Sequence, residues 1–320
     1  MKRSSQTVEL AEIDCAFDSY SCSWPPESVP LEKSITEIGL INPPVLTVRE
    51  GRLVTLCGIR RVRAAAKRSL SGIVCTIVES AAHSDADLLA LNLEDNLSVR
   101  SPGLFEKARL VSLLERFDAA SRRDFVERFG SRLGFRGDAY EVSRLLSLHA
   151  LSDETKAFID LKKMAPRQAY RVARLGRADA GRLAILAETH GLTAAQTGEF
   201  AELAREVMAR DSMTFDGILG RLTKDLDSAS QSHRQPREAL MKGLRLMRFP
   251  LWGAKEREMK SCLDKINGSP GITVHAPPSF ENDIFNARLV FRSCEELRDR
   301  ARALEAFAGS EAAQKAFGLL

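Results

Sequence analysis

The sequence predicts an α+β protein of several domains, and three observations support that fold class. A chain of 320 residues corresponds to about two domains and allows three. Its first hundred residues alternate short strand and helix patterns, a helical stretch of about 120 residues follows, and two strand patterns return near the end. We therefore predict an α/β domain over 1–102, an all-α domain over 103–224, a linker over 225–237 and an αββα domain over 238–320.

The composition excludes several classes of protein. With 44% apolar and 28% charged residues, the chain is typical of a folded globular protein. No apolar run approaches the roughly 20 residues of a membrane span and the first residues lack a signal-peptide pattern, so we expect a cytoplasmic protein. The 6 cysteines form no C-x-x-C pair and the 5 histidines are scattered, which argues against a zinc site.

Positive charge is concentrated in the middle of the chain. Residues 1–100 carry 11 Lys and Arg against 13 Asp and Glu, residues 101–182 carry 17 against 11, and residues 183–320 carry 19 against 19. A local surplus of positive charge suits the phosphates of duplex DNA, and it equally suits a solvated arginine-rich surface.

The N-terminal region predicts a hairpin, a third strand and two helices. Two apolar, β-branched runs at 45–48 and 53–56 flank Arg49-Glu50-Gly51-Arg52, where Gly51 provides the turn, and another strand is predicted over 73–78. Helices are predicted over 31–38, ended by Gly39 and Asn42-Pro43-Pro44, and over 59–69.

The helical block begins at Gly103. Apolar residues recur there at spacings of three and four, as in Leu104, Ala108, Val111 and Leu114. Such stripes are typical of helix-packing faces. The polar segment from Asp225 to Pro236 predicts a linker.

The C-terminal part predicts a helix over 254–266, strands over 272–276 and 287–292, and a helix over 294–307. Ala287, Leu289 and Phe291 alternate with Arg288 and Arg292, so one face of the second strand should be apolar. Because a lone two-stranded sheet is marginal in water, we expect this domain to pair with a second copy of itself.

The first candidate site is the run from Cys57 to Ala65, in which Gly58 ends a strand and an arginine-rich helix begins at once. Amide N–H groups at a helix start attract anions, and guanidinium forks fit phosphate oxygens. The run therefore predicts a phosphate pocket, and the alternative is a surface helix with solvated arginines.

The second candidate is a cluster of oxygen-bearing side chains over Asn92 to Asn96, placed just before the helical block and followed by Arg100. Mg²⁺ shares its shell between carboxylates and phosphates, so Asp95 and Asn96 could serve a magnesium nucleotide. Helix capping and turn formation are the alternative interpretation of these residues.

The third candidate is a helix-turn-helix. A helix over 124–133 meets Gly134-Phe135-Arg136-Gly137 and a second helix over 138–148, a pattern that places the second helix in a major groove. Val142, Leu145 and Leu146 are predicted to pack inward. Positions available to phosphates or bases are Arg136, Tyr140, Glu141, Ser143 and Arg144. We also assign Lys162, Lys163 and Arg167, in the same basic block, to the DNA-binding surface.

These motifs occur in the order of the ParB family of plasmid and chromosome partition proteins. Residues 34–45 resemble the family's helix-glycine-proline opening, and Gly58 to Ala64 resembles its G-E-R-R-x-R-A box. Asp95-Asn96 and Glu106-Lys107-Ala108 resemble its E-N-x-x-R and E-E-A boxes, and Val142 to Lys156 resembles its recognition helix and following segment. The C-terminal order of helix, two strands and helix resembles the family's dimerisation domain.

The resemblance implies a ParB/sulfiredoxin-like N-terminal domain, a helix-turn-helix domain and a C-terminal dimerisation domain. It implies a homodimeric clamp that recognises a centromere-like DNA site, binds CTP with Mg²⁺, closes into a ring and works with a ParA-type ATPase. Gly39, Gly58, Arg60, Arg61 and Asn96 would contact the nucleotide, and Asp95 with Asn96 would approach the Mg²⁺. Such a protein would be associated with the nucleoid or a plasmid, and the resemblance leaves CTP hydrolysis open.

Three departures from the family pattern keep alternatives open, and the first is that Asp95 stands where the second box begins with Glu. Ile59 stands where the first box has an acidic residue, and Val99 stands where the second box has arginine, with Arg100 one position later. A ParB-like protein that binds another nucleotide, or a DNA-binding regulator that binds none, is compatible with these residues.

An enzyme is the competing hypothesis, because the same N-terminal fold serves sulfiredoxin-like enzymes and ADP-dependent serine kinases, and a nuclease-like activity is a further alternative. Sulfiredoxin needs a thiol directly after the glycine, where this chain has Ile59, and Cys57 is better interpreted as a buried strand thiol. Glu94 is the local candidate for the general base of a kinase. Neither enzyme accounts for the basic helical block.

Overall fold

The computed structural model describes residues 2–80, 82–229, 236–277 and 283–319. It contains both helices and strands, which confirms the mixed α and β composition. The chain forms two compact units, Met1–Arg205 and Glu206–Leu320. The division into three domains and a linker stays a prediction. Within the described ranges, no helix has the length and apolar character needed to cross a membrane.

The first unit begins with a five-stranded sheet. Its strands are β1 (Arg3–Glu9), β2 (Ile13–Asp14), β3 (Val45–Arg49), β4 (Arg52–Cys57) and β5 (Gly72–Val78). They lie in the order β1-β5-β3-β4-β2. The pairs β1–β5 and β3–β4 are antiparallel, and the pairs β5–β3 and β4–β2 are parallel. The predicted hairpin is confirmed: Glu50 and Gly51 both have positive φ, which matches the twist of the flanking strands.

Helices cover both faces of this sheet. They are α1 (Val29–Ile38), α2 (Ile59–Lys67) and α3 (Asp85–Leu97). Val62 and Ala65 of α2 join Leu46 in one buried cluster, and Leu88 of α3 joins Val54 and Leu56 in another. The sheet therefore carries α2 and α3 on opposite sides, with the C-terminal end of β4 leading directly into α2.

Three features of this region differ from the sequence prediction. The pattern did not reveal β1, because it is an exposed edge strand in which only Val8 is buried. It also missed the two-residue β2. It also gave no helix over Asp85–Leu97, so the cluster from Asn92 to Asn96, which lies just before the helical block as expected, is part of α3.

Helices fill the rest of the first unit, as the apolar spacing predicted. They are α4 (Leu104–Leu114), α5 (Ala119–Leu133), α6 (Ala139–His149), α7 (Asp153–Leu161), α8 (Pro166–Ala173), α9 (Arg177–Thr189) and α10 (Ala194–Asp211), which runs on into the second unit. Helix α5 starts five residues earlier than expected, because the Asp118 carboxylate caps it by accepting from the N–H groups of Ala120 and Ser121, both at 2.9 Å.

The second unit contains α11 (Phe215–Ala229), α12 (Pro236–Arg248), α13 (Pro250–Asn267), β6 (Ile272–His275), β7 (Asn286–Leu289), α14 (Cys294–Ala308) and α15 (Glu311–Gly318). The helix-strand-strand-helix order predicted for this part is present, with α12 and α15 in addition. Its core joins α13 residues such as Leu263 and Ile266 to Ile272, Val274 and Ala316.

Two details of the second unit correct the prediction. Strand β7 ends at Leu289, and Ala287 and Phe291 are exposed, so of the three residues of the expected apolar face Leu289 alone packs against the core of this unit. Helix α11 continues to Ala229, so residues 225–229 of the predicted linker are helical, and 230–235 lie outside the described residues.

Candidate functional site

The turn from β4 into α2 has the geometry of an anion site. Gly58 has φ +89°, and a Cβ added there would lie 2.7 Å from the Nη2 atom of Arg61. No described side chain caps the first turn of α2, which also contains no acidic residue. The positive end of the helix dipole therefore lacks a compensating charge of its own, the condition under which helix starts bind phosphate.

Arg61 joins this turn to the loop that follows α1. Its Nη1 donates to the carbonyl oxygens of Asn42 at 2.6 Å and Pro43 at 3.2 Å. That loop begins at Gly39, which ends α1 with φ +76°. The guanidinium of Arg61 thus lies across Gly58 and holds together the two glycine turns that the sequence assigned to the nucleotide.

Glu106, at the start of α4, is the centre of a buried ion-pair cluster. Its side chain is 3% exposed, and its carboxylate accepts two bonds from Arg100, one of them at 2.5 Å. It also accepts from the N–H groups of Gly103 at 3.0 Å and Trp24 at 3.2 Å. Burial alone would raise the pKa of Glu106, but the bonds from Arg100, Gly103 and Trp24 outweigh burial and hold the pKa below its usual value.

Arg60 is the second cation of this cluster. Its Nη2 lies 3.7 Å from Glu106 Oε1 and donates to the carbonyl oxygen of Trp24. Its Nε is buried and has no hydrogen-bond partner among the described residues. Burial lowers the pKa of Arg60, and the proximity of Glu106 only partly opposes this effect. Arg60 therefore has an unused N–H donor that could bind an anion. Arg100 binds the Glu106 carboxylate, although it stands one position after Val99, where the second family box has its arginine.

Trp24 is a residue of this site that the sequence did not indicate. Its backbone bonds to Glu106 and Arg60, and its indole Nε1 donates to Asp160 Oδ2 of α7 at 2.8 Å. The Lys156 ammonium lies 5.2 Å from the centre of its ring. These partners are up to 136 residues away along the chain, so no local motif could have identified them.

The residues of the second candidate cluster, Asn92 to Asn96, have different surroundings within α3. Asn92 is buried and donates to the carbonyl oxygen of Leu56 at 2.6 Å, so it anchors α3 to β4 and is not a ligand. The amide nitrogen of Asn96 donates to Asn92 O at 2.8 Å and Oδ1 at 3.1 Å, whereas Asp95 is exposed. Within the described ranges, no group of three His, Cys, Asp or Glu residues could hold a metal ion. Asp95 fits Mg²⁺ only as one carboxylate beside phosphate oxygens and water.

A cavity of about 770 Å³ adjoins α3 and the ends of the central strands. Its lining includes Val45, Cys57 and Val78 and the charged residues Arg3, Asp95 and Arg128. Among the predicted nucleotide and metal residues, Asp95 lines this cavity, while Gly39, Gly58, Arg60, Arg61 and Asn96 do not.

The residues offered for an enzyme are poorly suited to catalysis. Burial raises the pKa of the Cys57 thiol to about 12, so the thiol stays protonated and unreactive at neutral pH. Glu94 accepts from Arg132 at 2.7 Å and pairs with Arg128 at 3.5 Å, and these contacts hold its pKa below the usual value. A carboxylate of lowered pKa is a weak general base.

The residues of the predicted helix-turn-helix form α5, the turn 134–137 and α6. Gly134 has φ +59°, and the Phe135 N–H closes the end of α5 on the carbonyl oxygen of Gly130 at 2.8 Å. Asp138 caps α6, with its Oδ1 2.8 Å from the Glu141 N–H. The Glu141 carboxylate points back to the turn, where its Oε2 accepts from the N–H groups of Arg136 at 2.8 Å and Gly137 at 3.4 Å. It is thus engaged within the protein.

The turn before α6 and the outer side of α6 present the other predicted DNA residues. Arg136, Tyr140 and Ser143 are exposed, Tyr140 by 71%. The Arg144 guanidinium lies 3.9 Å from the ring centre of Tyr170 on α8 and 5.0 Å from that of Tyr140, so two aromatic rings fix its position. On the inner side Leu145 and Leu148 are buried, whereas Val142 and Leu146, predicted to face inward, are half-buried.

The remaining predicted DNA residues lie around the junction of α7 and α8. Lys163 and Arg167 are exposed, whereas Lys162 is half-buried with its Nζ 3.4 Å from the carbonyl oxygen of Leu192. Lys163 has φ +49° and follows the end of α7, and Arg167 lies in the first turn of α8.

Comparison with known proteins gives distant similarities. No protein-family profile matches the sequence, and no curated protein matches it either. The chain is similar to the C-terminally truncated chromosome-partitioning protein ParB from Caulobacter crescentus complexed with CTP-gamma-S, with 19% identity, a TM-score of 0.23, and 57% of this chain and 98% of that chain covered. It is also similar to the truncated Caulobacter ParB complexed to the centromeric parS site, with 18% identity, a TM-score of 0.26, and 61% and 98% covered.

Proposed function

We propose that this chain is a ParB-like partition protein that binds duplex DNA site-selectively as a homodimer and is switched by a nucleotide, CTP with Mg²⁺, at the β4–α2 turn. The observation that carries the DNA-binding part is the outer side of α6. There Arg144 is held between Tyr140 and Tyr170 beside exposed Ser143, on a helix whose start is fixed by Asp138 and Glu141. A pre-positioned guanidinium on the second helix of a helix-turn-helix suits contacts to base edges or phosphates.

Selection from a pool of randomised duplexes tests this part of the proposal. We expect an inverted repeat to be enriched, because a two-fold symmetric dimer reads two equal half-sites. Arg144→Ala should weaken binding to that site about 5- to 150-fold, since one good contact contributes about 1–3 kcal/mol. Arg177→Ala, which removes an exposed arginine at the start of α9, is the matched control and should change little. No enriched sequence, with equal losses in both variants, would identify a generic charged surface.

The nucleotide part of the proposal is supported by the donors that the β4–α2 turn leaves unused. The first turn of α2 has no side-chain cap among the described residues, and Arg60 Nε has no partner there. Backbone N–H groups and guanidinium forks are the groups that bind polyphosphates. Bound Mg²⁺ would neutralise phosphate charge, and Asp95 is the carboxylate that the family resemblance assigns to it.

Titration calorimetry with CTP, ATP and ADP in the presence of Mg²⁺ tests the nucleotide part. We expect binding heat for CTP above the others and its loss in Arg61→Ala, because Arg61 holds the Gly39 and Gly58 turns together. Absence of heat with all three nucleotides would leave a nucleotide-independent DNA-binding protein.

Dimerisation is supported by the thin core of the second unit. Helix α14 has no buried residue, and the two-stranded sheet of β6 and β7 leaves Ala287 and Arg288 exposed. A second copy would cover such a surface, because a two-stranded sheet is marginal alone. Sedimentation equilibrium of the full chain should give twice the mass of 35.4 kDa, and a monomer at micromolar concentration would contradict the proposal.

A further inference from the structure

Arg60 belongs both to the proposed nucleotide site and to a contact that reaches α7. Its Nη2 donates to the carbonyl oxygen of Trp24, whose indole N–H is bound to Asp160. We propose that Trp24 is a strap between the phosphate site and α7: a nucleotide phosphate takes Arg60 from Trp24, and the hold of Trp24 on Asp160 weakens. This inference rests on the proposed nucleotide site and adds its regulation.

The buried carboxylate of Glu106 permits Arg60 to leave. Arg100 binds Glu106 through both terminal nitrogens, and the N–H groups of Gly103 and Trp24 supply two further bonds. Arg60 is only an ion-pair partner at 3.7 Å, outside hydrogen-bond distance. Glu106 thus stays paired with Arg100 and bonded to the Gly103 N–H when Arg60 and Trp24 shift, so no unpaired buried charge opposes the change.

Arg60 itself would gain from an anion. A guanidinium has five N–H donors, and here the Nε donor is buried without a partner among the described residues. Charge-assisted bonds to phosphate are stronger than the single bond to a backbone carbonyl that Arg60 would give up. Arg60 therefore gains by exchanging the carbonyl oxygen of Trp24 for a phosphate oxygen, and Trp24 loses its bond to Arg60.

The other end of the strap lies on a helix that leads to the predicted DNA surface. Asp160 accepts the indole N–H at 2.8 Å, Lys156 lies over the indole ring, and α7 ends two residues before Lys163. Because coupling between two contacts is reciprocal, weakening the Asp160 contact should make Arg60 easier to recruit.

Asp160→Ala tests the strap without touching a proposed nucleotide contact. In calorimetry of the full chain with CTP and Mg²⁺, we expect affinity to rise about threefold to tenfold, the range set by the net strength of one hydrogen bond. Glu154→Ala is the matched control, since this carboxylate is exposed in the first turn of α7, six residues before Asp160. It should leave the affinity unchanged.

Trp24 emission provides the second measurement. The chain has 2 tryptophans, so Trp252→Phe leaves Trp24 as the sole indole emitter. We expect CTP with Mg²⁺ to change its emission with the midpoint found by calorimetry, and Asp160→Ala to shift the emission before any nucleotide is added.

The two proposals fail in different ways. Binding heat for CTP with unchanged Trp24 emission and unchanged affinity in Asp160→Ala would overturn the strap and leave the nucleotide site standing. Absence of binding heat with CTP, ATP and ADP would overturn both.

Discussion

Replacement of Glu106 by Gln tests the buried cluster most directly. Gln has almost the same volume and keeps one carbonyl oxygen, but it removes the charge that holds Arg100 and Arg60. Breaking a buried ion pair costs about 3–5 kcal/mol when the remaining charge is fully desolvated. Here the Arg100 and Arg60 side chains are 42% and 25% exposed, so solvent offsets part of this cost. We expect Glu106→Gln to lower the free energy of unfolding by about 2–3 kcal/mol.

Urea unfolding followed by Trp24 emission in a Trp252→Phe background measures this loss. The matched control is Glu127→Gln, because Glu127 is 70% exposed on α5 and pairs with Arg123 at 3.9 Å. It should stay within about 0.5 kcal/mol of the parent, as exposed pairs do.

The pH dependence provides an independent check on the same substitution. Because the folded pKa of Glu106 lies below its unfolded value near 4.5, its ionised form adds stability above that pH and loses it as the pH falls through the folded pKa. The difference between parent and Glu106→Gln should therefore be largest near neutral pH and shrink in acid. A loss below about 0.5 kcal/mol, or one independent of pH, would refute the role given to this carboxylate.

Three further outcomes are expected. Gly130→Ala places a Cβ 2.6 Å from the carbonyl oxygen of Phe135 and should lower the stability of the α5–α6 region by about 2 kcal/mol or more in thermal unfolding. Its control is Gly220→Ala in α11, where a Cβ meets nothing within 4 Å and should stabilise the protein by about 0.5–1 kcal/mol. Asn92→Ala leaves the buried Leu56 carbonyl without its side-chain donor and should cost about 1–3 kcal/mol in urea unfolding. Tyr170→Ala removes the ring under Arg144 and should weaken DNA binding in fluorescence anisotropy by less than Arg144→Ala does, with unchanged sequence preference. Equal losses in the two DNA variants, an unchanged Asn92→Ala or a neutral Gly130→Ala would each contradict the corresponding contact.

The parts of the fold that the sequence predicted are those whose signals are local. The β3–β4 hairpin follows from two apolar runs around Gly51, and the two helices α5 and α6 follow from Gly134 and the apolar spacing on either side. Turn chemistry and periodicity act over a few residues, so they can be read along the chain. The sequence did not predict edge strand β1, because this strand is polar and exposed. It also did not predict that Asn92 to Asn96 lie in helix α3, because Asn and Asp suit caps and turns as well.

The sequence by itself determined which groups are present at the candidate sites. These are Gly58 before an arginine-rich helix, Glu106 six residues after Arg100, and Arg144 on the second helix of the predicted helix-turn-helix. The tertiary structure decided what those groups touch. Only the folded chain brings Trp24 to Glu106 and Asp160, which are 82 and 136 residues away, and places Tyr170 under Arg144. The physical reason is that a side chain's partners and burial are set by packing between distant elements, whereas its chemical type and local conformation are set by its neighbours along the chain.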